Sequence, residues 1–455
     1  MEHTKKVAGF VVETRYETIP PKAIETAKAA MLDCLGVALA GSREASSRIC
    51  ARLVDEEKAD GRATLWGHGL RSSPANAAFA NGVSAHALDY DHSFTMMGQP
   101  TAGLIPALLA LAEALGANGR ELLEAYVAGF EVTAKLVSSM PEHSNEGGWH
   151  SVATLGSLGA AAACAKLLKL EAAKVRTALG VASSMAGGMV ANFGTMTKPL
   201  HAGLAARNGI VAAGLSEKDF TANSQILEGP IGLFGVYSRG LPCDPAPLNS
   251  LGISWELVES GIKIKAYPCG GLTHSAIDAA LELRSQHRIN ADSVDSVRAE
   301  VTERTFERII YRIPESGLQG KFSMPYILAR ALMDGKVTPD SFTDEAARDP
   351  SVLSLAARID MAPNPQMKEN AAGSRPCRVT IRLKDGRTFS HSVDYPRGSS
   401  QAPLSLEDVR AKFVGCAARV LSKDAVEHAL EYLDRLERLE NVRSLCKLLG
   451  GGASS

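Results

Sequence analysis

Large aromatic side chains are scarce in this sequence: Trp, Tyr and Phe together make 5% of 455 residues. A core with so few rings is built from small side chains, and alanine-rich segments let helices approach closely. Charge of one sign is also missing. Lys and Arg number 49 against 50 Asp and Glu, a balance that argues against a nucleic-acid footprint or a polybasic membrane surface. No run of about 18 apolar residues occurs, so no transmembrane helix is expected. MEHTKKVAGFVVETRYE carries no apolar signal-peptide core. None of the 8 cysteines stands in a CxxC pair, which reads as thiols in a reducing, cytoplasmic compartment rather than a disulfide framework. Walker A and GxSxG motifs are absent, and WGHGLRSS is not a GxGxxG loop, so ATP, NAD and serine-hydrolase chemistry have no signature here.

What is present is an ordinary globular composition, 45% apolar and 22% charged, long enough for two domains. Residues 20 to about 220 read as helix after helix, among them Pro21 to Leu39, a helix opened by Ser73-Pro74, Leu104 to Leu115, Arg120 to Met140, Val152 to Leu168 and Glu171 to Met185. The pattern changes near Ile262. IKIKAYP alternates like a strand, His274 to Gln286 reads as a helix, Ser293 to Thr302 alternates again, and RVTIRLKDGRTFSHSVDY is a hairpin around Asp385-Gly386. Residues 400–455 return to helix. The expected fold is therefore mainly α: a large all-helical domain (1–260 with 400–455) and a smaller α+β domain (261–399).

Four polar clusters interrupt the apolar pattern. HALDYDHSF places His86, Asp89 and His92 at spacings of three, on shared helix faces if the helix continues. A metal reading fits neither HExxH nor an EF-hand, and a helix end capped by Asp is the alternative. In GGWHSVATLG, His150 precedes a small-residue helix with Ser151 as its candidate N-cap. The helix dipole favours a neutral imidazole there, suited to a general base; the alternative is a histidine packed on Trp149. In GTMTKPLHAGLAARNG, Pro199 suits the first helical position. That puts Lys198 at a helix N-terminus and His201 in the first turn, where a cation is electrostatically unfavourable. In KAYPCGGLTHSAIDAAL, Thr273 caps the helix that His274 opens, and Cys269 is a candidate nucleophile with no partner histidine specified. Basic side chains at helix N-termini bind carboxylates, and a neutral His or Lys can remove a proton α to a carboxylate. The chemistry indicated is proton transfer on a small, multiply charged acid.

HALDYDHS, GWHSVATLGSLGAAAACAKLLKL, GTMTKPLHAGLAARNG, YPCGGLTHSAIDAAL and KFSMPYILARALMDG, in that order, resemble the MmgE/PrpD family. Its activities include 2-methylcitrate dehydration, cis-aconitate decarboxylation and iminodisuccinate epimerisation. The resemblance implies a helical domain, a smaller α+β lid, a site between them, and a homodimer using no metal or organic cofactor. It assigns catalytic positions to Asp89, His150, Lys198, His274 and Tyr326, and substrate contacts to Ser93, Gln99, His201 and Thr273. One departure matters. Members commonly read GHPS where this chain reads GQPT, so Gln99 replaces a histidine with a side chain that exchanges no proton near neutral pH. His92, standing where the family has an aspartate, offers a replacement imidazole.

The substitution argues against cis-aconitate decarboxylation and favours a lyase that adds or removes water on a 2-methylcitrate-like di- or tricarboxylate. Lys198 and His201 would hold carboxylates, His150 or His274 would take the α-proton while the other protonates the leaving hydroxyl, Asp89 would orient a base, and Tyr326 would donate a hydrogen bond. An epimerase of a substituted succinate is the runner-up, decarboxylation third, and a carboxylate-binding protein without turnover the reading from another class. The expected partner is the small-molecule acid alone, with neither nucleic acid nor membrane.

Overall fold

Small residues decide how closely the helices of this protein pack. The computed structural model describes residues 2–94, 98–141, 143, 147–238, 240–369 and 375–451, and they fall into two compact units, 1–262 with 405–455, and 263–404. The first unit contains α1 (Pro21–Gly41), α2 (Pro74–Ala87), α3 (Thr101–Leu115), α4 (Gly119–Ser139), α5 (Thr154–Leu167), α6 (Ala172–Met185) and α7 (Thr197–Glu217). A short antiparallel ribbon, Ala63–Leu65 with Leu70–Ser72, is its one sheet among the described residues.

The helix boundaries follow local chemistry. The Ser73 hydroxyl accepts the Asn76 N–H and Pro74 follows it, opening α2. Asn118 and Glu121 form a reciprocal capping box at the start of α4, and Gly116, at φ +74°, ends α3. α5 shows no polar stripe: all its residues except Lys166 are buried, as befits a helix surrounded by others. α7 begins at Thr197, two residues before the expected Pro199 start, so proline takes the third position, where its missing N–H is equally harmless.

The helices meet through positions where a side chain has no room. A Cβ on Gly82 of α2 would lie 2.7 Å from the Gly203 Cα of α7, and one on Gly203 would lie 2.5 Å from the Phe79 carbonyl oxygen. α2 therefore crosses α7 nearly backbone to backbone.

The second unit is an α+β fold. β1 (Val294–Val301) pairs parallel with β2 (Ile359–Pro363) and antiparallel with β3 (Cys377–Leu383), and β3 pairs antiparallel with β4 (Thr388–Val393), giving the order β2-β1-β3-β4. The β3–β4 turn holds Gly386 at φ +88°, a left-handed geometry that suits glycine. Alternate residues of β3 (Cys377, Val379, Ile381, Leu383) are buried in a core shared with α8 (His274–His287) and α9 (Met324–Asp334). IKIKAYP forms no strand of this sheet. Pro268, the last residue of that run, has no N–H to donate to a ladder. The Cys269 N–H turns back to the Tyr267 carbonyl at 3.0 Å, so the chain curls before a ladder can form.

The chain re-enters the first unit with α10 (Leu406–Ala417), which packs on α1. Lys412 of α10 reaches the buried Asp33 of α1 at 2.6 Å. Asp33 also accepts hydrogen bonds from the His92 N–H at 2.8 Å and from its Nδ1 at 3.3 Å. Burial alone would raise the Asp33 pKa, but the Lys412 charge and the His92 hydrogen bond hold it below the ordinary value. This carboxylate therefore stabilises the fold above the ordinary carboxylate range, and the contribution is lost as pH falls through its lowered pKa. Lys412→Met leaves a buried, unpaired charge and should cost about 3–5 kcal/mol. The Asp33→Asn/Lys412→Met double variant should recover part of that loss in urea denaturation. A double variant no more stable than Lys412→Met would contradict this account of the pair.

Candidate active site

α2 ends at Ala87, so His86, Asp89 and His92 do not share a helix face. Asp89 stands at φ +51°, a strained conformation that Asp tolerates better than most residues. The turn sends the three polar side chains to three different partners. Asp89 meets Lys198, His86 meets Asp91, and His92 meets Asp33.

The Asp89–Lys198 contact accounts for the unfavourable lysine. Lys198 lies in the first turn of α7, and its Nζ is 2.8 Å from Asp89 Oδ1, with both side chains about nine-tenths buried. The carboxylate supplies the anion that a helix N-terminus favours, while the ammonium compensates it. Gln99 donates to the same Asp89 oxygen at 3.4 Å. The ring of Phe193 covers the ammonium at 5.3 Å. Gln99 thus contributes a neutral donor aimed at Asp89 where the resemblance leads one to expect an imidazole.

His92 does not replace that imidazole. Both ring nitrogens are engaged away from Asp89: Nδ1 with Asp33, and Nε2 with the Thr101 hydroxyl at 2.8 Å, which in turn meets the Tyr126 hydroxyl at 2.7 Å. The ring is fully buried, in the network that ties α10 to α1. Ser93, next in the chain, is half-buried.

His150 sits in the loop before α5, whose first helical residue is Thr154, so Ser151 is not its N-cap. The His150 N–H donates to the Gly188 carbonyl at 2.9 Å, and its own carbonyl accepts the Ala153 and Thr154 N–H groups. Its Nδ1 is 2.9 Å from the Nδ1 of His201. A bond between two Nδ1 atoms needs one protonated and one bare nitrogen, so the rings cannot both be cationic. Phe193 meets the His150 ring edge-on at 4.8 Å, and the His86 ring stacks on it at 5.8 Å. Trp149 turns away from His150 and packs on His143 and Tyr237.

Burial above all, with the nearby Lys198 charge, pushes the His150 pKa well below its ordinary value of 6.5. Burial, again with Lys198, pushes His201 down to about 4. The neutral imidazole expected of a helix N-terminus is thus produced mainly by desolvation. The His201 ring is hydrogen-bonded to His150 through that Nδ1 contact.

The remaining candidates belong to the second unit. His274 opens α8, is 4% exposed, and meets the Tyr267 ring edge-on at 5.3 Å. The Thr273 hydroxyl does not cap that helix. It donates to the Gly270 carbonyl at 2.8 Å and meets the Cys269 sulfur at 3.3 Å. Tyr326 is fully buried, with its hydroxyl donating to the Ser341 carbonyl and accepting from Arg330 Nε at 3.3 Å. That proton is committed inside the unit's core in this conformation. Among the described residues no group of three or more His, Cys, Asp or Glu is placed to hold a metal ion, and no helix is long and apolar enough to cross a membrane.

Sequence reading missed Asp33, Thr101 and Lys412, and it placed Asp91 in the first polar cluster without a partner. Asp91 is visible in the HALDYDHSF motif, but its pairing with His86 depends on the turn at Asp89. Phe193 gives no signal beyond standing five residues before Lys198.

Comparison with known proteins agrees with the architecture. Residues 5–246 match the MmgE/PrpD N-terminal domain and residues 267–438 the MmgE/PrpD C-terminal domain. The chain is 32% identical to cis-aconitate decarboxylase of Mus musculus, over 98% of this chain and 93% of the relative. It is also 32% identical to the enzyme of that name from Homo sapiens, over 98% and 94%. It is 24% identical to 2-methylcitrate dehydratase of Cupriavidus necator, over 87% of each. Two family domains in their order, and relatives aligned along nearly the whole chain, show that this protein belongs to the MmgE/PrpD family.

Proposed function

We propose that this protein is a lyase that adds or removes water across a carbon–carbon bond of a 2-methylcitrate-like tricarboxylate. The observation that carries the reading is His150, buried and bonded through Nδ1 to His201, beside a buried lysine–aspartate pair. With its Nδ1–H donating to the Nδ1 of His201, His150 offers Nε2 as the nitrogen that takes the proton α to a carboxylate. The Lys198 ammonium pairs with that carboxylate as negative charge builds on it, a task for which a preorganised buried cation is well suited. Asp89 holds Lys198 in place and stabilises His150 once protonated. The electron pair of the broken C–H bond forms the double bond, and the β-hydroxyl departs as water with a proton from a second acid.

A base-form histidine suits proton abstraction, whereas decarboxylation of an unsaturated acid needs a proton delivered to carbon. That contrast, with Gln99 in place of an imidazole, favours the hydro-lyase. Decarboxylation of a cis-aconitate-like acid is the second reading, favoured by the 32% identity to two enzymes named for that reaction.

Incubation with 2-methylcitrate, citrate and cis-aconitate separates the readings. Gain or loss of the olefin without CO₂ supports the hydro-lyase, and CO₂ release from cis-aconitate establishes the decarboxylase. Lys198→Ala should lower kcat/KM by about 100-fold or more, the scale of losing a preorganised charge at the reacting centre. Unchanged turnover in that variant would remove Lys198 from the mechanism.

The pH profile follows from the lowered His150 pKa. The deprotonated base is the active form, so kcat/KM should stay flat as pH falls through 6.5 and drop only at more acid pH. An acid limb at 6.5 or above would contradict a desolvated His150 as the base.

A further inference from the structure

We propose that His86, held by Asp91, is the acceptor for the substrate's hydroxyl group. This rests on the hydroxy-tricarboxylate reading above. His86 lies in the last turn of α2 and is 1% exposed. Its Nδ1 lies 3.1 Å from both carboxylate oxygens of Asp91, which is also buried. A carboxylate accepts only, so this contact holds a proton on Nδ1, and the neutral ring then presents Nε2 as an acceptor. That Nε2 is buried and has no hydrogen-bond partner among the described residues. Native interiors rarely keep such an acceptor unpaired without a use.

The position gives the use. The His86 ring stacks at 5.8 Å and 28° on His150, whose other neighbours are His201 and Phe193. The unsatisfied acceptor is thus next to the proposed base. A hydroxy acid brings to the α-carbon's neighbour a hydroxyl whose O–H needs an acceptor, and its dehydrated product brings none. His86 also answers the loss of the histidine at position 99, for which His92 is unsuited because both its nitrogens are bound. The Asp91–His86 pair therefore selects for the hydroxylated acid and fixes the direction in which its C–O bond points.

Calorimetric binding of citrate and of tricarballylate, the same acid without the hydroxyl, tests this. The wild-type protein should prefer citrate by about tenfold, the scale of one buried hydrogen bond. His86→Leu should bring the two affinities within about twofold by weakening citrate alone. His86→Gln, whose amide oxygen can accept, should keep part of the preference and serves if the leucine variant does not fold. Equal weakening of both acids in a folded variant, as a merely structural histidine or one holding a buried water would give, overturns the proposal. A wild-type protein that binds both acids alike, or neither, overturns this inference but not the hydro-lyase reading, which turnover of 2-methylcitrate tests separately.

Discussion

The closeness of α2 to α7 is the constraint on which the first unit's chemistry depends. Gly82 and Gly203 let the two backbones meet where any Cβ would collide. α2 delivers His86 in its last turn and Asp89 just beyond, and α7 delivers Lys198 and His201 near its start. Asp89 and Lys198, 109 positions apart in sequence, therefore end 2.8 Å apart. A larger residue at either glycine would open the crossing, and an ion pair of this length is sensitive to such shifts. The alanine and glycine content that makes the sequence look featureless is what brings these charges together.

Two buried ionic centres lie near one another in the chain and do different work. Asp33, His92, Thr101, Tyr126 and Lys412 form a network in which each ring nitrogen of His92 has a partner, and it fixes α10 to α1. The second centre is under-satisfied by comparison. Asp89 is strained, His86 keeps an Nε2 without a partner among the described residues, and His150 and His201 share one hydrogen bond. Strain and unmet hydrogen-bonding capacity gather where a substrate would supply the missing groups.

Much of this was legible in the sequence because it rests on local chemistry. The Ser73-Pro74 start of α2, the hairpin at Asp385-Gly386 and the helix opening at His274 are written in caps and turns. Lys198 stands out in the sequence by its awkward place at a helix start. What was not legible depends on contacts distant in sequence. Nothing near His92 announces Asp33 or Lys412, so its imidazole looks available until those partners are placed. The left-handed turn at Asp89 breaks the helical spacing that would have put His86 and His92 on one face. IKIKAYP alternates as strands do, yet Pro268 and the turn after it deny it a ladder. Tyr326 reads as a hydrogen-bond donor to substrate, yet its hydroxyl is spent inside the core of the second unit.

The central claim is that a neutral His150, beside Lys198, removes a proton next to a carboxylate. Proton NMR of 2-methylcitrate incubated with the protein in D₂O tests it most directly. The account predicts deuterium entering the methylene or methine carbon α to a carboxylate, at a rate that collapses in His150→Gln while the variant remains folded. Exchange or turnover undiminished by His150→Gln in the folded variant would contradict it.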